Sequence, residues 1–158
     1  MVAAYYLDTS ALVKQYVDEI GSAWIREQIA SEGVVLIISH VLTVEMISAF
    51  NRRLREGSVT SDDYARMVTL FDNDLQTRYQ IVRFDNPIVA LARVLLEHHP
   101  LRAYDAVHLS SALVMHRALV QAGQPGLTFL CADDRLLDVA EAEGLMVDNP
   151  NRHEQPIG

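Results

Sequence analysis

Four carboxylates stand where apolar sequence would otherwise run on. Asp8 directly follows AAYYL, and Glu45 falls within the helical stripe of Leu42, Met46, Ala49 and Phe50. Asp105 shares a helical face with Leu109 and Ala112, and Asp133 follows the apolar run LTFLCA. The other acids, such as Asp18 and Glu19 or Glu141 and Glu143, belong to turns and polar faces. If the four converged they would repel strongly. Two carboxylates ~5 Å apart cost about 3 kcal/mol at an effective dielectric near 20, and four make six pairs. Either some take up protons with raised pKa values, or a divalent cation occupies the site. All-oxygen ligation suits Mg²⁺ or Mn²⁺ rather than zinc, and such an ion retains water that can be polarised towards hydroxide. Taken singly, each acid also has an ordinary reading. Asp8 suits a turn or helix cap, Asp105 a partner for Arg102 or a first helical turn, and one of Asp133 and Asp134 a cap of the last helix.

The elements that must position these residues alternate between strand and helix. Strands are expected over Ala3–Leu7, Val34–Ile38, Tyr79–Phe84, Leu127–Ala132 and Leu145–Val147. The second, VVLII, is continuously apolar and reads as buried on both faces. Ser10 offers a cap for a first helix, and helical spacing continues over Ser22–Ala30. Ser39 offers an N-cap for a helix from about Val41 that stops at Gly57. Thr60-Ser-Asp-Asp63 resembles a capping box before a helix to about Thr77, and Asn86-Pro87 fits an N-cap and first turn for a helix to about His98. Further helices are expected over about Arg102–Val120 and Asp134–Glu143, with Asn149–Gly158 a frayed tail. The pattern is that of an α/β fold, a three-layer α/β/α sandwich around a mainly parallel central sheet. Residues 1–150 form a single domain and residues 151–158 a C-terminal tail. In such a sheet the ligand crevice lies outside the carboxyl ends of the strands. Asp8 and Asp133 fall there, Glu45 is near the same rim, and Asp105 opens a helix leading back to the fourth strand.

The chain of 158 residues is long enough to bury a sizeable core, with half its residues hydrophobic. No apolar run approaches the ~20 residues of a membrane span, and the start lacks a signal-peptide pattern. The single cysteine, Cys131, excludes an internal disulfide and suits a reducing cytoplasm. A net charge of −8 excludes tight, metal-free binding of a polyanion by the chain as a whole. It does not exclude phosphate recruited through metal ions.

The order and wording of the acidic segments are more specific than any one of them. LDTSALVK at Leu7–Lys14, Glu45 after a buried strand, YDAVHLSSA at Tyr104–Ala112 and ADDRLLDVAEAEGLMVDNP at Ala132–Pro150 together resemble the PIN domain. Within it they resemble the VapC-type toxin ribonucleases of bacterial toxin–antitoxin pairs, over nearly the whole chain. The resemblance implies a Mg²⁺-dependent endoribonuclease, with Mn²⁺ as substitute, whose acidic quartet is Asp8, Glu45, Asp105 and Asp133. It implies that Ser10 supports the metal site by hydrogen bonding, that the chain dimerises, and that a small VapB-like antitoxin silences it. One position departs from the family pattern. Cys131 stands where Thr or Ser is common, two residues before the last acid, and a thiol is a weaker hydrogen-bond partner.

Other readings remain open at this stage. A PIN-like binding module without catalysis keeps the fold and not the chemistry. A haloacid-dehalogenase-like phosphatase would need a second acid where Ser10 stands, and a receiver domain would need an early acidic pair and a late lysine. His108, three residues after Asp105, reads first as a core or interface histidine and second as a group supporting the acidic site. Lys14 is divided between a phosphate path and the solvated surface. Arg52, Arg53 and Arg55 complement a helix C-terminus or bind RNA. An apolar excess over Leu12, Val13, Trp24, Ile25, Ile29, Met46, Ile47, Phe50 and Leu54 suggests a partner surface beside ordinary core packing.

Overall fold

The computed structural model describes residues 3–153. Five strands, β1 (Ala4–Leu7), β2 (Val35–Ser39), β3 (Tyr79–Val82), β4 (Thr128–Leu130) and β5 (Met146–Asp148), form one sheet in the order β3-β2-β1-β4-β5. All four pairings are parallel. Strand β1 is central, with Tyr5 opposite Leu36 on one side and Thr128 on the other. Alternation along the strands divides the core in two. Leu7, Leu36, Ile38 and Leu130 face one layer, formed by α1 (Thr9–Leu12), α2 (Ser22–Ala30), α3 (Leu42–Glu56) and α4 (Ser61–Thr77). Tyr6, Ile37 and Phe129 face the other, formed by α5 (Asn86–His98), α6 (Ala103–Gln121) and α7 (Asp134–Ala142). The three-layer α/β/α reading therefore stands, with a sheet parallel throughout.

Several local expectations are met by named bonds. Thr60 Oγ1 accepts from the Asp63 amide at 3.1 Å while the Thr60 amide donates to Asp63 Oδ2 at 3.0 Å, so aspartate completes the capping box of α4. Gly57 ends α3 at φ 77°. Others shift by one residue. Asp85, not Asn86, caps α5. Ser10 is not the cap of α1: Asp8 is, its Oδ1 accepting from the Ala11 amide at 3.0 Å. The carboxylate is the stronger acceptor and sits at the required extended residue.

Two expectations are corrected. Leu12, Val13, Ile25, Ile29, Met46 and Phe50 are all buried in the first core layer. That layer is built by four helices and absorbs the apolar excess, so these side chains offer no partner surface. The described part of the tail is not frayed. Asn149 is buried and caps a 3-10 turn over Pro150–Arg152, and the His153 ring stacks on Trp24 at 4.0 Å between centroids. Residues 154–158 lie outside the described residues. Among the described residues, no helix is long and apolar enough to cross a membrane.

Candidate active site

The four singled-out acids line one open cleft of about 400 Å³ at the carboxyl ends of the strands, together with Ser10, Lys14, Arg52, Arg102 and His108. Each arrives from a different element. Asp8 leaves β1, Glu45 is in the first turn of α3 beyond β2, Asp105 is in the first turn of α6, and Asp133 follows β4 as the N-cap of α7. Strands β1 and β4 are neighbours, so the sheet brings residues 8 and 133 to the same edge.

The protein holds three of these carboxylates by one oxygen each. Asp8 is buried, and its Oδ1 accepts from Ser10 Oγ at 2.7 Å as well as from the Ala11 amide. Glu45 Oε1 accepts from Thr9 Oγ1 at 3.0 Å and from His108 Nε2 at 2.6 Å. Asp133 Oδ1 accepts from the Arg135 amide at 3.0 Å. No donor engages the second oxygens among the described residues, and none of those oxygens is a sealed, unpartnered atom, so they open to the cleft. Asp134 is turned away: its Oδ1 accepts from Asn149 at 3.0 Å and from Arg152 at 2.6 Å.

Ser10 links the two sides of the cleft. While donating to Asp8 it accepts from the Ala132 amide at 2.9 Å, joining α1 to the end of β4. Cys131 takes a share of this work despite being a thiol. Its Sγ accepts from the Asp133 amide at 3.2 Å and lies 3.7 Å from Ser10 Oγ. Burial, with Asp8 nearby, pushes the Cys131 thiol far above its usual range, so it stays protonated and is no nucleophile.

Asp105 carries the electrostatic signature of the cleft. Its pKa is raised, chiefly by desolvation; Arg102 pulls it back down, while Asp8 and Asp133 add smaller upward pushes. A carboxyl that keeps its proton longer when folded destabilises the metal-free fold as pH rises from its ordinary value through the raised one. Asp105→Asn is therefore expected to raise the thermal unfolding midpoint in chelator at pH 7 and to leave it nearly unchanged at pH 3. Scanning calorimetry of parent and variant at both pH values measures this; an equal or lower midpoint at pH 7 refutes it.

The basic residues sort unexpectedly. Lys14 lines the cleft but is not solvated. It is buried, donating to Glu19 Oε1 at 3.0 Å and to the Ile20 carbonyl at 2.6 Å. Arg53 shares Glu19 with it at 3.0 Å. Arg52 and Arg102 are exposed, line the cleft and make no ion pair among the described residues. His108 takes the second of its two expected places, beside the acids, and Thr9 was not legible as a site residue. Their partner Glu45 lies 63 and 36 positions away.

The donor set fits a hard divalent cation. It is all carboxylate, carries uncompensated repulsion, and presents unengaged oxygens to the cleft. Among the described residues, no three His, Cys, Asp or Glu side chains already form a closed metal cage. An ion that retains several waters does not require one.

A family model described as PIN domain matches residues 5–141. No curated protein matches the chain. Among solved structures, a toxin–antitoxin complex from Klebsiella pneumoniae aligns with TM-score 0.62 at 16% identity, over 92% of this chain and 97% of that one. VapBC2 from Rickettsia felis, bound to a promoter DNA fragment, gives TM-score 0.60 at 13% identity, covering 92% and 98%. PAE2754 from Pyrobaculum aerophilum gives 0.59 at 21%, covering 92% and 83%.

Proposed function

The chain belongs to the PIN domain family, and from that premise we propose that it is a Mg²⁺-dependent endoribonuclease, with Mn²⁺ as substitute, acting as the toxin of a type II toxin–antitoxin pair. The observation that carries the reading is the single cleft shared by Asp8, Glu45, Asp105 and Asp133. These four would hold the metal. When bound, it supplies charge neutralisation on the phosphate and acidifies water for in-line attack. Ser10 and the Ala11 amide fix Asp8, while Thr9 and His108 fix Glu45. Arg52 and Arg102 flank the cleft as receivers of the RNA backbone. No side-chain nucleophile is required: Cys131 stays protonated, and both His108 nitrogens are engaged.

Purified protein incubated with total RNA is expected to cleave it with Mg²⁺ and not with chelator, leaving 5′-phosphate and 3′-hydroxyl ends. Mapping of the ends measures this, and cleavage that persists in chelator overturns it. The toxin assignment is supported by solved relatives of this fold that are themselves toxin–antitoxin complexes. The partners it implies are a small VapB-like antitoxin and a second copy of the chain; co-purification with the product of a neighbouring small reading frame tests the first. A PIN-like binding module without catalysis is the second reading. Mn²⁺ calorimetry separates the two, since a binding module of this kind would take up no metal.

A further inference from the structure

His108 is 2% exposed, and both its ring nitrogens are committed. Nε2 lies 2.6 Å from Glu45 Oε1, and Nδ1 lies 2.8 Å from the Tyr6 hydroxyl. A carboxylate can only accept, so Nε2 carries a hydrogen and donates it. The Tyr6 hydroxyl stands within hydrogen-bond reach of Nδ1, where it can donate to the ring. Tyr6 itself is immobile. It is fully buried in central strand β1 and stacked on Phe129 of β4 at 5.4 Å and 5° between planes. The relay thus runs from the rigid middle of the sheet to one oxygen of one acid in the cleft.

We propose that Tyr6 and His108 form a positioning relay that clamps Glu45 through Oε1 and so presents Oε2 to the metal. The inference rests on the proposed metal-dependent reading. Glutamate is the longest of the four acids, and no backbone amide anchors its carboxylate among the described residues. Asp8 and Asp133 are each fixed by an amide two or three residues on. Glu45 depends instead on side chains from other elements, Thr9 and His108, and only the histidine is tied to the sheet. A ligand whose orienting bond is removed typically loses ten- to a hundredfold in metal affinity.

Asparagine and glutamine at position 108 distinguish a relay from packing, because their amide nitrogens overlay Nδ1 and Nε2 respectively. Mn²⁺ calorimetry on the full chain is expected to show H108N, which loses the donor to Glu45, weaker by about ten- to a hundredfold, and H108Q, which keeps that donor but loses the Tyr6 bond, weaker by only about three- to tenfold. RNA cleavage by H108N should lose kcat with KM little changed, since Arg52 and Arg102 are untouched. H108N binding Mn²⁺ as tightly as the parent, or H108Q weakened as much as H108N, overturns the relay. If H108N fails to melt cooperatively without metal, Y6F decides: its affinity is expected to fall at least about threefold, and an unchanged value overturns the relay. A parent chain that neither binds Mn²⁺ nor cleaves RNA would sink the proposed function itself; metal binding by the parent with H108N unaltered sinks only the relay.

Discussion

Asp8→Asn is expected to reduce Mg²⁺-dependent RNA cleavage at least about a hundredfold while leaving the fold intact, since loss of one transition-state electrostatic partner costs on the order of 10²–10³ in rate. The substitution is clean because of what Asp8 does structurally. Its Oδ1 caps α1 and receives the Ser10 hydroxyl, and asparagine supplies an equivalent carbonyl oxygen at an N-cap it favours as strongly as aspartate. Only the second oxygen changes, from an anionic acceptor facing the cleft to an amide donor. A single-turnover assay on labelled RNA, with unfolding curves recorded beside it, reads both halves of the prediction. Cleavage at the parental rate would remove the metal site from this cleft. A large fall in stability would show that the charge, and not the cap alone, holds α1.

The largest effect on stability is expected at a glycine outside the acidic quartet. Gly21 opens α2 at φ 85°, and a Cβ there would lie 2.7 Å from the Pro150 carbonyl oxygen and 2.8 Å from its carbon. Gly21→Ala meets two penalties together: ~1–2 kcal/mol for a left-handed backbone and ~1–3 kcal/mol for overpacking, about 2–5 kcal/mol in all. The neighbour cannot easily give way, because it is backbone. Asn149 is buried before it, and His153 is stacked on Trp24 of α2 after it. Against a typical total of ~5–15 kcal/mol this is a large share. Urea unfolding monitored by circular dichroism measures it; a change below about 0.5 kcal/mol, the scale of an ordinary surface substitution, would mean that the Pro150 segment is held loosely.

What could be read from the sequence, and what could not, follows the distance between partners. The acids announced themselves because each breaks a local apolar pattern, and the strand–helix alternation placed their element ends on one rim. The Thr60–Asp63 box was equally local. His108 resisted the same treatment. Its place on α6 is read easily, but Tyr6 and Glu45 lie 102 and 63 positions away, and only the sheet order makes them neighbours. The burial of Lys14 was hidden for a related reason: its partner Glu19 is near in sequence, yet the turn that folds the lysine inward has no simple signature. The family resemblance already preferred Asp133 to Asp134; what it could not supply is the physical reason, that Asn149 and Arg152 draw Asp134 away. Apolar residues from Leu12 to Phe50 looked surplus because the depth of a four-helix layer cannot be counted from one chain segment. The tail looked frayed because its anchors, Asn149 and His153, are polar.

The strand order has a consequence in time as well as in space. A ribosome that has delivered the chain through α5 has made β1, β2 and β3, which are contiguous in the sheet, but β1 still lacks its second neighbour, β4. Asp8 and Glu45 are then in hand, and Asp105 and Asp133 have yet to be synthesised. Because domains fold as their segments emerge, N-terminal part first, an unfinished copy owns half a cleft and no more. The hydrolytic capacity proposed for the cleft therefore cannot act on the messenger or the ribosome producing it until α6 and β4 have been translated and docked.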